Sequence, residues 1–194
     1  MRGALSAAIV LSFATAAQAL PITYTATLSG ANENPAVVSA GTGSATIVYD
    51  ELTHLLSVDV IFADLNSITT ASHIHCCAVP PTNAGVATTT PTFPNFPLGV
   101  TSGHYVNTLD LTLASSYNPA FVTLQGSIAA AEAALATGFG NGTTYLNIHT
   151  MTSPGGEIRG TITPAPTPTP EPASLALLGL GLAGVGSRRL RRRA

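Results

Sequence analysis

Through most of its length the chain alternates apolar with polar residues, the period-two pattern of strands that bury one face. Residues 22–28 interleave Thr with Ile, Tyr, Ala and Leu, and residues 44–49, 55–62, 109–113, 145–149 and 157–162 carry the same alternation. Gly, Pro and Asn punctuate these runs, and residues 50–54 form a predicted hairpin turn. One stretch departs from the pattern. Residues 128–137 are mostly Ala and Leu, with Ser127 placed as N-cap and Gly138 as the stop, and predict a single short helix. Short strands separated by turns, plus one helix, predict an all-β antiparallel sandwich or barrel.

Between these runs, residues 76–103 contain Pro80, Pro81, Pro91, Pro94 and Pro97, which break every candidate ladder. The stretch is expected to be a long ordered loop, because Phe93, Phe96 and Leu98 would otherwise face water.

The ends follow different rules. Residues 1–19 combine Arg2, an apolar stretch and the small residues Ala17 and Ala19, the form of a secretory signal peptide cut by signal peptidase after Ala19. Residues 20–163 form the expected β domain. Residues 164–172 are a Pro/Thr linker containing Pro170, Glu171 and Pro172. Residues 173–187 are small or apolar; as a helix they would reach about 22 Å, short of a ~30 Å hydrocarbon layer. The Arg cluster at positions 188, 189 and 191–193 then closes the chain on the cytoplasmic side during export.

Charge narrows the function. The body from residue 20 to residue 163 carries eight carboxylates and only Arg159, a formal charge of −7. A domain so acidic does not track a phosphate backbone, which excludes nucleic acid as a partner.

Few residues carry recognisable chemistry. His73 and His75 flank Ile74, and on a strand both imidazoles leave the same face about 6.6 Å apart. His149, on another predicted strand, could add a third nitrogen, giving a set suited to Zn or Cu; the alternative is a structural, hydrogen-bonded role. Cys76 and Cys77 are the only cysteines. In an oxidising compartment they form a vicinal disulfide, ligate a soft metal beside His75, or bridge two chains. Glu157 and Arg159 flank Ile158, so alternation predicts a same-face structural ion pair. No nucleophile elbow, P-loop or dinucleotide fingerprint occurs, and no enzyme activity is expected.

Pro170, Glu171 and Pro172, followed by the short Leu/Gly helix and terminal arginines, resemble the PEP-CTERM sorting signal of Gram-negative bacteria. That resemblance implies transient anchoring in the inner membrane, cleavage by an exosortase near the motif, and delivery to the cell surface or the extracellular space. The body resembles the CHRD domain, named for its occurrence in chordin. The matching blocks are residues 31–35, from Ala31 to Pro35; Ala71, Ser72, His73, Ile74 and His75; residues 145–150; and Gly155, Gly156, Glu157, Ile158, Arg159 and Gly160. This implies an immunoglobulin-like β-sandwich in an extracellular setting and hands over no reaction. Together the readings predict an exported, non-catalytic binding or structural module of the cell surface or exopolysaccharide matrix. The alternative is a secreted Zn or Cu metalloprotein built on His73, His75 and His149.

Overall fold

A computed structural model of the chain describes residues 20–166. The expected signal peptide with Ala19, the motif residues Pro170, Glu171 and Pro172, and the apolar tail lie outside the described residues.

The fold is all-β. Eight strands form one continuous path: β1 (Ile22–Ser29), β2 (Thr42–Asp50), β3 (Leu55–Ala63), β4 (Thr69–Cys76), β5 (Gly85–Val86), β6 (Gly103–Asp110), β7 (Thr144–Thr150) and β8 (Ile158–Thr161). They lie in the order β5-β4-β7-β8-β1-β2-β3-β6, and the short β9 (Thr163–Pro164) adds to β1. Every pairing is antiparallel. The sheet curls into a half-barrel, so residues of β3 and β6 share one apolar cluster with residues of β4 and β7.

Alternation explains what enters that cluster. On β3, Leu56, Val58, Val60 and Phe62 point in and are fully buried, while Asp59 and Ile61 point out. On β4 and β7 the inward residues are Ile74, Cys76, Leu146 and Ile148. The phase puts Ala71, His73 and His75 of β4 and the odd-numbered residues of β7 on the opposite face, a register shift between Thr69 and Ala71 setting Thr69 apart.

Two helices close the body. Helix α1 (Pro119–Gln125) starts at Asn118, whose side chain accepts from the Ala120 N–H, and Pro119 needs no hydrogen bond in the first turn. Helix α2 (Ile128–Asn141) meets α1 at 92° and starts at Ser127, which caps the Ala130 N–H. Ala131, Leu135 and Phe139 form its buried stripe, with Phe139 5.2 Å from Tyr24. Among the described residues no single helix is long and apolar enough to cross a membrane.

Several expectations need correction. Gly138 does not stop α2, which continues to a left-handed C-cap at Gly142. Gly138 is instead a point of close approach: a Cβ there would lie 2.6 Å from Thr144 Cγ2 and 3.0 Å from Cys76 Sγ. The strand placed at 109–113 is β6, and it ends at Asp110, where Asp110 turns back to hold the Thr112 N–H. The Pro-rich stretch is ordered as expected for Phe93 and Phe96, both buried, but Leu98 is exposed.

Candidate functional site

The outward face of β4, β7 and β8 should meet water in a half-barrel, yet loops cover it. Register sets His75 opposite Tyr145, His73 opposite Asn147, and Asn147 opposite Arg159. His149 joins from the next outward position of β7, opposite Ala71. A layer of large polar side chains results, with His73, His75, Tyr145, Asn147 and Arg159 all buried.

The structure brings His73, His75 and His149 together: one ligand nitrogen from each lies within 4.8 Å of the other two. His73 Nδ1 is 3.2 Å from His149 Nε2. Each ring also touches a backbone carbonyl from a different loop. His73 Nε2 lies 2.6 Å from Pro91 O, His75 Nδ1 2.8 Å from Ala84 O, and His149 Nδ1 2.8 Å from Pro154 O. His75 stacks on Tyr145 at 4.7 Å, and its Nε2 is buried without a hydrogen-bond partner. Burial holds all three imidazoles below their ordinary value, His75 at about 4. Near pH 7 each ring is therefore neutral.

The cysteines belong elsewhere. Cys76 and Cys77 form a disulfide with each other, and both sulfurs lie toward the Ala134 carbonyl of α2. Cys76 has even parity on β4 and so faces the core rather than the imidazoles, which removes the reading of these sulfurs as metal ligands beside His75.

The expected pair of Glu157 and Arg159 is also overturned. Glu157 precedes β8, just after Gly156 at φ 125°, so strand alternation does not reach it. Its carboxylate accepts instead from Ser39 Oγ and the Asn66 N–H, both at 2.6 Å, and from Thr150 Oγ1 at 2.7 Å. Arg159 takes Glu33 as its carboxylate, at 3.8 Å. Its N–H groups donate to Asn32 O, to Asn83 Oδ1 at 2.7 Å and to Pro81 O at 2.8 Å. Burial pushes the Glu33 carboxyl up to about 7, although the Arg159 charge pulls the other way. Beside this group opens a cleft of about 480 Å³, lined in part by Thr27, Asn32, Pro81, Tyr145 and Thr161.

Sequence spacing did not single out two functional-looking groups. Asn147 sits in the histidine layer with its Oδ1 buried and unpartnered; its place midway between Tyr145 and His149 on one strand face is the signal that could have found it. The second is a relay in which buried Glu132 accepts from Tyr49 Oη at 2.8 Å and contacts His54 Nδ1 at 2.9 Å. Nothing in the spacing links residues 49, 54 and 132.

These features define an antiparallel β domain whose outward face holds a roofed polar layer. Residues 24–162 match the CHRD domain and residues 168–193 match the PEP-CTERM protein-sorting motif, and the chain belongs to the CHRD domain family. No curated protein and no solved structure matches it. The sorting motif makes it an exported protein, anchored transiently in the membrane and processed by exosortase.

Proposed function

We propose that the mature domain is a non-catalytic binding or structural module of the bacterial cell surface or exopolysaccharide matrix. The observation that carries this reading is the adjacency of body and address: β9 ends at Pro164 and the sorting motif begins at residue 168. The β domain is thus the cargo that the motif delivers.

Five of the eight carboxylates of the body are engaged by the fold, which favours binding over turnover, while Glu33 at the cleft, raised to about 7, is the one placed for proton transfer. Glu157 and Glu132 are spent on buried hydrogen bonds, Asp50 and Asp110 on turn N–H groups, and Asp59 on His104 at 2.9 Å. A general acid–base pair needs a carboxyl within reach of a substrate proton, and these five are occupied by the fold. The polar cleft beside Arg159 offers hydroxyl and amide groups of the kind a hydrated polysaccharide meets.

The test is fractionation of a bacterium that carries an exosortase and expresses the full chain. The expected mature protein ends near Pro172 and co-sediments with surface or matrix material. A mature protein with Arg193 intact and held in the inner membrane, or one released without any association, overturns the reading.

A further inference from the structure

Tautomers follow from the three carbonyl contacts, because a carbonyl can only accept. The N–H of His73 is therefore on Nε2, and those of His75 and His149 are on Nδ1. In neutral rings the remaining nitrogens, His73 Nδ1, His75 Nε2 and His149 Nε2, carry lone pairs.

Two of these lone pairs face one another at 3.2 Å. Neither nitrogen has a proton left to donate, so the contact is repulsive unless a cation lies between them. The third, His75 Nε2, is shielded from water and has no partner. A tetrahedral ion with metal–nitrogen bonds of ~2.0–2.1 Å holds two nitrogen ligands ~3.3 Å apart. The observed separation matches that edge, and the 4.8 Å limit on the cluster leaves the third ring a small closing movement.

We propose that His73 Nδ1, His75 Nε2 and His149 Nε2 bind one first-row transition ion of the copper and zinc class. Imidazole nitrogen suits these ions, whereas Ca²⁺ and Mg²⁺ favour carboxylates, and the cluster of described residues is made of three histidines. The carbonyls of Ala84, Pro91 and Pro154 are the outer partners that aim each ring and raise its basicity. Three protein ligands leave a fourth position for water or a donor from outside the chain. The ion would also tie together the three rings and, through them, the segments that carry Ala84, Pro91 and Pro154. The inference stands apart from how the tail is processed.

The competing arrangement is a proton in place of the metal: one ring becomes imidazolium and donates across the 3.2 Å gap. The test uses the exported protein stripped with chelator and titrated separately with Zn(II) and Cu(II) near pH 7.5. One ion per chain is expected, with nitrogen hyperfine structure in the Cu(II) electron paramagnetic resonance spectrum. His75→Ala should weaken binding at least about 100-fold, while His104→Ala, outside the cluster, should leave it unchanged. Because His75 is buried, the half-exposed His149→Asn serves as a second variant, checked for native circular dichroism. Competition between the metals assigns the ion, and either result supports the site. Failure of both ions to bind, binding indifferent to His75 and His149, or an N–H···N bond seen by nitrogen NMR in the metal-treated protein overturns it.

Discussion

The guanidinium carbon of Arg159 lies 4.6 Å from the ring centroid of Tyr145. The same ring stacks on His75 at 4.7 Å and an interplanar angle of 9°. The sole cation of the acidic body is thus an internal joint: it gathers the loops of Asn32, Pro81 and Asn83 and supports one wall of the histidine cluster. Its burial is tolerated because a fork of N–H donors meets a matching set of acceptors.

Arg159→Lys keeps the charge and loses the fork. An ammonium group cannot reach three separate acceptors in those directions, so the variant should lose about 2–4 kcal/mol, read as a lower urea midpoint with an unchanged slope. A variant as stable as the parent would show that charge alone suffices there.

Glu33 gives a pH dependence of defined sign. Its carboxyl titrates at about 7 in the fold against an ordinary 4.5. The protonated form therefore contributes stability that is complete below pH 4.5 and lost as pH rises through 7. Glu33→Gln, neutral at every pH, should be more stable than the parent at pH 8 by about 1–3 kcal/mol and should lose that advantage by pH 4.5. Thermal unfolding of both proteins across this range checks it; a constant difference between them would rule out Glu33 as the titrating group.

The buried histidines act in the opposite direction. His75 titrates at about 4, and burial also depresses His73 and His149, so the unfolded chain takes up protons first as pH falls below the ordinary 6.5. The contribution of His75 is present above pH 6.5 and disappears as pH drops toward 4, and His73 and His149 act in the same direction. Replacing His75 with Gln should flatten the acid limb of the stability profile while leaving the Glu33 limb in place. An acid limb unchanged in that variant would assign acid sensitivity to other groups.

Gly138→Ala separates two effects of opposite sign. In an exposed helix interior, alanine would stabilise by about 1 kcal/mol. Here its methyl would lie 2.6 Å from Thr144 Cγ2 and 3.0 Å from Cys76 Sγ, so α2 must back away from β7 and the disulfide. The expected outcome is a net loss of about 1–3 kcal/mol in chemical denaturation, whereas a gain would mean that the α2 contact is loose.

Strong alternation made β1, β2, β3 and β7 legible within a residue or two, because each has one face in the core. Strand β6 was harder to place: Val106 is 64% exposed on it, which blurs the contrast between faces. Helix α1 is not legible in the periodicity although Asn118, Pro119 and Gly126 mark both ends, because seven residues are too few for a helical period to stand out. His73 and His75 were legible as neighbours on one face. His149 was legible as a candidate third nitrogen, but its meeting with them depends on which strand pairs with β4 and in which register.

By itself the amino-acid order determined the strand faces, the N-cap of α2, the acidic character of the body and the C-terminal sorting motif, since each is local or compositional. Tertiary structure alone decided that Arg159 pairs with Glu33 and not with Glu157, that Gly138 is a contact and not a terminus, and that a face expected to meet solvent is roofed by loops. These outcomes depend on registers and loop paths joining residues far apart in sequence, and the alternation of polar and apolar positions carries no information about such partners.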